Sequence, residues 1–194
     1  MMAATANANE PIDKNILILG DSLSAGLGVN YDQAWPSLLQ SRINKMEASY
    51  RVINAGVSGD TTSGGISRLP RLLKKYSPEI LILELGGNDG LRGTSLKAIE
   101  KNLSDMINSA QSSNITVLLI GVQLPPNYGA LYTKGFENIF SGLAKEHGLD
   151  LIQGSLKTMV NEGLMQSDGI HPNALGHQQI ENIIWERLNK YLEK

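Results

Sequence analysis

The sequence predicts an α/β protein, a three-layer α/β/α sandwich around a mostly parallel central sheet of about five strands. Short, continuous apolar runs, such as residues 16–19 and 80–85, are typical of parallel strands that are buried on both faces. Between these runs lie longer segments whose apolar residues recur at helical spacing. Alternation of the two patterns along one chain is typical of an α/β fold.

Five strands are predicted, and most of them run into a loop rich in glycine or polar residues. The strands span residues 16–19, 51–54, 80–85, 117–120 and 149–152. Gly20 ends the first strand, the loop 55–60 follows the second, and the glycine-rich segment 86–90 follows the third. A proline-containing loop, 123–129, follows the fourth strand.

Helices are predicted wherever apolar residues fall on one face. They span about 35–46, a segment from Asp60 to Tyr76, and then about 95–111, 132–147 and 174–192. Asp60 or Thr61 is the expected cap of the second helix, and Pro70 is its weak point. Ser22, directly after the first strand, is expected to open a further helix or turn.

Composition narrows the classes of function. The net charge is -2, from 17 basic and 19 acidic residues with no basic stripe, which argues against nucleic acid as a partner. The chain has no cysteine, which excludes disulfides, thiolate metal sites and cysteine nucleophiles. Three histidines without a His-x-x-x-His spacing argue against a metal site. The chain has neither a complete dinucleotide fingerprint nor a phosphate-loop motif, so we expect no cofactor.

Residues 1–14 are predicted to be a flexible tail and residues 15–194 a single domain. The first ten residues are small and polar, so they do not form an intact signal peptide. No apolar run approaches the roughly 20 residues that span a bilayer, so we expect no stable membrane insertion.

Candidate functional residues follow the first strand and precede the last helix. A serine hydroxyl such as that of Ser22 needs an imidazole base, which in turn needs an orienting acid. The segment Asp168-Gly-Ile-His171 offers both: the carboxylate can accept a hydrogen bond from Nδ1 while Nε2 faces outward. In parallel sheets the active site lies beyond the carboxyl ends of the strands, where these groups and the loops after strands two and three converge.

Three hydrogen-bond donors at the same edge suit the oxyanion of acyl transfer. They are the backbone N–H groups of Ser22 and Gly59 and the side-chain amide of Asn88. Each residue alone has a plain structural explanation: a helix cap for the serine, and turns for Gly59, Asn88 and the Asp168–His171 pair. Their convergence on one sheet edge favours a shared site.

The sequence gives weaker indications of a role for two further histidines and two aspartates. His147, at a helix end, is expected to complement the helix dipole. His177 has no adjacent acid and is expected at the surface. Asp21 and Asp60 adjoin the site and are candidates for orienting its loops, although other α/β folds also place aspartates there.

Four blocks of this sequence resemble those of the GDSL, or SGNH, hydrolases. They are Gly20-Asp21-Ser22-Leu23, Gly59, Gly86-Gly-Asn88-Asp89 and Asp168-Gly-Ile-His171-Pro172. The resemblance extends from about residue 15 into the last helix and is closest to bacterial thioesterase and arylesterase members. It implies the flavodoxin-like SGNH-hydrolase fold.

The resemblance also implies roles. Ser22 would be the nucleophile, His171 the general base and then acid, and Asp168 the orienting acid. Ser22, Gly59 and Asn88 would form the oxyanion hole. The loop 124–129 would lie near the acyl groove, and the candidate substrate-binding residues there are Leu124, Pro125, Pro126 and Tyr128.

The sequence therefore predicts a monomeric serine esterase that forms an acyl-enzyme on Ser22. Its substrates would be small acyl esters or thioesters: aryl esters, acyl-CoA or lysophospholipids. One alternative is a carbohydrate O-acetylesterase with the same catalytic residues, although the apolar segment 124–126 favours a fatty acyl groove. Another is a non-catalytic lipid-binding module, against which the intact set of site residues argues. The resemblance suggests a periplasmic or secreted protein with its leader removed, and the cytoplasm is the alternative.

Overall fold

The central layer is a five-stranded sheet in which every neighbouring pair is parallel. The computed structural model describes residues 14–46, 49–154 and 156–192. The strands are β1 (Lys14–Gly20), β2 (Tyr50–Asn54), β3 (Ile80–Glu84), β4 (Thr116–Ile120) and β5 (Asp150–Ile152). Their order across the sheet is β2-β1-β3-β4-β5. The predicted fold class and the five strands are confirmed.

Helices cover both faces of this sheet. They are α1 (Ser22–Ala25), α2 (Trp35–Ile43), α3 (Thr62–Tyr76), α4 (Gly87–Leu91), α5 (Leu96–Gln111), α6 (Ala130–His147), α7 (Leu156–Asn161) and α8 (Ala174–Leu188). Short 3-10 turns span Tyr31–Gln33, Pro126–Tyr128 and Asn189–Tyr191. Within the described ranges, no helix is both long and apolar enough to cross a membrane.

Alternate residues of each strand pack into two separate hydrophobic cores, one on each face of the sheet. Leu17, Leu81 and Val117 face a core built with α3, α5 and α6. Ile16 and Ile80, one residue earlier in their strands, face a second core built with α2 and α8. The period-2 alternation of the strands thus divides their apolar side chains between the two outer layers.

Several element boundaries differ from the sequence prediction. The predicted tail lies outside the described residues, except that Lys14 already begins β1. The segment 86–90 is not a loop: Gly86 has φ 116°, which lets the chain turn directly from β3 into the short helix α4. The helix α7 was not predicted. Thr61, rather than Asp60, caps α3 by accepting the Gly64 N–H at 3.3 Å.

Pro70 lies inside α3, and the helix continues through it. The residue is exposed, so its ring removes one helical hydrogen bond on the outward side without disturbing the core. His147 stands in the last turn of α6, as predicted, with its Nε2 3.1 Å from Ser104 Oγ.

The surface position predicted for His177 is wrong. Its side chain is 1% exposed, and Nδ1 accepts the Trp35 N–H at 3.3 Å. Trp35 begins α2, where the first N–H groups of a helix lack intrahelical acceptors. Burial, together with the nearby His171, lowers the pKa of His177 to about 4.

We expect this histidine to make folding sensitive to acid. Between pH 6.5 and about 4 the unfolded chain binds a proton at His177 that the folded protein does not, so the free energy of unfolding should fall as the pH falls through this window. His177→Gln retains an acceptor for Trp35 and cannot titrate, so its stability should depend less on pH. Urea denaturation of both proteins across the window measures the two slopes, and equal slopes would contradict the assignment.

Candidate active site

Ser22 is the first residue of a single helical turn placed at the carboxyl end of β1. Asp21 caps this turn, since its Oδ1 accepts the Leu23 N–H at 3.0 Å. Gly26 ends it in the left-handed region, with φ 74°. The predicted helix or turn at Ser22 is therefore present, and its two ends are held by local hydrogen bonds.

The structure brings Ser22, His171 and Asp168 into one hydrogen-bonded line. Ser22 Oγ lies 2.9 Å from His171 Nε2, and His171 Nδ1 lies 2.6 Å from Asp168 Oδ2. The other carboxylate oxygen, Oδ1, accepts the backbone N–H groups of Ile170 at 2.9 Å and His171 at 3.0 Å. One aspartate thus both folds the loop and contacts the imidazole.

These contacts favour the ionised form of Asp168. The backbone N–H of His171, then its imidazole and the N–H of Ile170, lower the pKa of Asp168 to about 2. The carboxylate is therefore charged throughout the neutral range, although its side chain is 44% exposed. An ionised acceptor at Nδ1 stabilises an imidazolium when Nε2 takes up a proton.

The three predicted oxyanion donors differ in whether they already donate a hydrogen bond within the protein. Within the described part of the chain, the N–H groups of Ser22 and Gly59 donate no hydrogen bond to the protein. Gly59 has φ 80°, a conformation that favours glycine. The Asn88 amide already donates to Asp21 Oδ2 at 3.1 Å and to the Asp60 carbonyl at 2.9 Å.

An apolar cavity of about 230 Å³ opens beside Ser22, Asn88 and His171. Leu124 and Pro125 line it, as the family resemblance implies. Much of the remaining apolar wall comes from the ends of β4 and β5, from α7 and from α8: Ile120, Ile152, Met159, Ile180, Ile183 and Ile184. Tyr128 is not among the lining residues, and the side chain of Pro126 lies outside the described part of the structure.

No group of three or more His, Asp or Glu side chains that could hold a metal ion occurs among the residues that the structure describes. The polar groups of the site are the serine, the imidazole, the carboxylates and the backbone and side-chain N–H donors around them.

The profile of the GDSL-like lipase/acylhydrolase family matches residues 18–179. The chain belongs to this family. It is 40% identical to the esterase TesA of Pseudomonas aeruginosa over 92% of this chain and 90% of that protein. It is 42% identical to thioesterase 1/protease 1/lysophospholipase L1 of Escherichia coli, over 81% and 75% of the two chains. A crystal structure of TesA superposes with a TM-score of 0.87 at 40% identity, covering 92% of this chain and all of the other.

Membership of the GDSL-like family confirms the resemblance found in the sequence, and the protein is a serine esterase. Its fold is also that of the family, because the superposition on TesA covers 92% of the chain.

Arg68 is a site-supporting residue for which the sequence suggested no role. Its guanidinium donates to the Gly20 carbonyl at 3.0 Å, to the Ala55 carbonyl and to Asp60 Oδ2 at 2.7 Å. These acceptors lie at the ends of β1 and β2 and in the loop after β2. One side chain therefore ties the segment of Ser22 to the segment of Gly59.

Gln166 supports the histidine loop in a similar way. Its N–H donates to the His171 carbonyl at 2.8 Å, and its side-chain amide donates to the carbonyls of Leu27 at 2.7 Å and Pro172 at 2.8 Å. It thereby joins the loop of His171 to the chain that follows α1. A lone glutamine among loop residues carried no signal of this in the sequence.

Asp60 and Asp21 both orient loops, as the sequence suggested. Asp60 pairs with Arg68, and Asp21 caps α1 and contacts Asn88. Asp89 adds a third such contact, since its carboxylate accepts the Thr62 N–H at 2.8 Å and the Thr62 hydroxyl at 2.7 Å.

Replacing Arg68 should loosen the carboxyl edge of the sheet. Arg68→Met leaves two carbonyl groups and the mostly buried Asp60 carboxylate without this donor, so we expect the free energy of unfolding to fall by about 1–3 kcal/mol. Arg71→Met, an exposed position on the same helix, is the matched control and should change it by less than about 0.5 kcal/mol. Urea denaturation measures the free energy of unfolding of both variants, and equal losses would contradict the supporting role of Arg68.

Proposed function

We propose that the protein hydrolyses carboxylic esters and thioesters through an acyl-enzyme on Ser22, with His171 as the general base and then the general acid. Asp168 orients the imidazole and stabilises its charged form. The observation that carries this proposal is the unbroken line of hydrogen bonds from Ser22 Oγ to His171 Nε2 and from Nδ1 to Asp168, at 2.9 and 2.6 Å.

In the first half-reaction Nε2 accepts the hydroxyl proton as Oγ bonds to the carbonyl carbon of the substrate. The tetrahedral intermediate then collapses, the bond to the leaving alcohol or thiol breaks, and Nε2 returns the proton to that group. In the second half-reaction a water molecule loses a proton to Nε2 and its oxygen bonds to the acyl carbon. The bond from that carbon to Ser22 Oγ then breaks and Nε2 returns the proton to Oγ, which releases the carboxylic acid and restores Ser22.

The negative charge that develops on the substrate oxygen needs donors. The N–H groups of Ser22 and Gly59 donate to no acceptor among the residues that the structure describes, which supports their assignment to this task. Asn88 can contribute a three-centre hydrogen bond, in which one amide hydrogen is shared with its present acceptor. Loss of a single oxyanion donor costs about 10²- to 10³-fold in kcat in enzymes of this type.

The cavity favours an acyl chain as the group that Ser22 receives. Leucine, isoleucine and methionine together are the commonest residues of its wall and bury methylene groups, and apart from Ser22, His171 and their neighbours the polar side chains that line it are Gln123 and Gln153. Esters and thioesters with several methylene groups therefore suit the site better than the acetyl groups of a carbohydrate. Acyl-CoA and lysophospholipids belong to this class, and the name of the E. coli relative includes both a thioesterase and a lysophospholipase.

Ser22→Ala should abolish turnover of p-nitrophenyl esters, with a loss of at least about 10³-fold in kcat, while the circular dichroism spectrum stays unchanged. A fluorophosphonate probe should label the wild type on Ser22 and leave the variant unlabelled. Ser63→Ala, at an exposed serine of α3, is the control and should retain full activity and labelling. Normal ester turnover by Ser22→Ala would contradict the proposal.

The wall of the cavity should determine which acyl chains are accepted. Ile183→Phe fills part of the space, so kcat/KM for octanoyl esters should fall about tenfold relative to acetyl esters. Ile183→Leu conserves the volume and should leave the ratio nearly unchanged. A panel of p-nitrophenyl esters, acyl-CoAs, lysophospholipids and acetylated xylan measures the profile, and activity confined to acetyl groups would favour the O-acetylesterase alternative.

A further inference from the structure

A carboxyl group lies directly below the turn that carries Ser22. Glu84 is the last residue of β3 and is paired in register with Gly20 of β1. Its side chain is 1% exposed, and Oε2 accepts the Asp21 N–H at 3.2 Å and the Ser24 hydroxyl at 2.8 Å. The two donors stand on either side of Ser22 in the chain.

We propose that Glu84 is a positioning residue, which holds Ser22 in its reactive orientation by accepting hydrogen bonds from Asp21 and Ser24. It contacts neither the hydroxyl of Ser22 nor the imidazole of His171. Its effect on the reaction passes through the turn that it supports, and the inference rests on the role proposed above for Ser22.

The packing around this carboxyl is specific. A side chain at Gly20 would bring a Cβ atom to 2.7 Å from Glu84 Oε2 and into contact with the Ser24 hydroxyl. The absence of a side chain at Gly20 therefore makes the room for both groups. This contact explains the glycine of the Gly-Asp-Ser segment, which the sequence alone accounted for only as the end of a strand.

A residue with a purely structural task at this position would be apolar. The four preceding residues of β3, 80–83, are all buried and apolar, and an apolar side chain at position 84 would continue the core that Ile80 and Ile82 face. A buried carboxyl costs free energy unless its hydrogen bonds offset the loss of hydration. The two bonds that Glu84 accepts are both directed to the Ser22 turn, so its stabilising contacts are concentrated there.

The hydrogen bond between Glu84 and Asp21 also connects β3 to Asn88. The backbone of Asp21 is fixed by Glu84, and the Asp21 carboxylate in turn accepts the Asn88 amide. Burial and the nearby Asp21 charge raise the pKa of Glu84 well above its usual range. A glutamine is a close substitute in shape, because its carbonyl oxygen can accept both hydrogen bonds.

The test compares Glu84→Leu, Glu84→Gln and Ser24→Ala in the full chain, with p-nitrophenyl esters as substrates. Glu84→Leu removes the acceptor, and we expect kcat to fall about 10²-fold while KM changes by less than about threefold, since displacement by about 1 Å can cost this much. Glu84→Gln should recover kcat to within about threefold of wild type. Ser24→Ala removes one of the two hydrogen bonds, and its kcat should lie between those of the two Glu84 variants.

Active sites are counted in every variant by titration with a fluorophosphonate, so kcat refers to folded enzyme only. Leu81→Ala, in the same strand and away from the turn, controls for lost stability: it should lower the urea midpoint and leave kcat per active site unchanged. If Glu84→Leu does not fold, the proposal is tested by the two other variants. Ser24→Ala, which loses one hydrogen bond to Glu84, should have a lower kcat per active site than Glu84→Gln, which keeps both acceptors.

Three results would overturn the positioning role: an unchanged kcat per site in both Glu84→Leu and Ser24→Ala, a loss in Glu84→Gln as large as in Glu84→Leu, or a loss confined to KM. The last would make Glu84 part of the acyl-binding wall, since it also borders the cavity. Turnover by Ser22→Ala would instead overturn the proposed function itself, so the two failures are distinguishable.

Discussion

The position of β1 between β2 and β3 is the constraint on which the site depends. All three strands are parallel, and the register pairs Gly20 with Glu84 on one side and Ile18 with Asn54 on the other. Three carboxyl ends therefore meet at one edge of the sheet: β1 continues into α1 with Ser22, β2 into the loop of Gly59, and β3 into α4 with Asn88. Residues separated by more than a hundred positions in the chain, Ser22 and His171, come within hydrogen-bond distance at this edge.

The edge is held together by polar groups that are largely buried. Arg68 joins the ends of β1 and β2, Asp89 joins α4 to the start of α3, and Glu84 joins β3 to the Ser22 turn. An apolar core alone would not fix these loops to within a fraction of an ångström, because dispersion contacts have little directionality, whereas hydrogen bonds do. Desolvation of these groups costs stability, and what they provide is the fixed geometry that acyl transfer requires.

Much of this arrangement could be predicted from the sequence, because its signals are local. Apolar runs gave the strands, and Ser22, Asn88 and the Asp168–His171 pair stand where strands or helices meet loops. The supporting residues lacked such a signal, since their partners are distant in the chain. Glu84 had a partial signal in the sequence, because it is a lone acid inside an otherwise apolar run. The burial of His177 also had a signal: this residue stands three and seven residues before Ile180 and Ile184, on the face of α8 that packs against α2.

The central claim is that ester cleavage proceeds through an acyl group bound to Ser22. The most direct measurement is rapid quenching of the wild-type protein with p-nitrophenyl octanoate in a single turnover, followed by peptide mapping by mass spectrometry. We expect an octanoyl adduct on the peptide that contains Ser22, formed as fast as p-nitrophenol is released. An adduct on a different residue, or release of p-nitrophenol at full rate with no adduct at any time, would contradict the account.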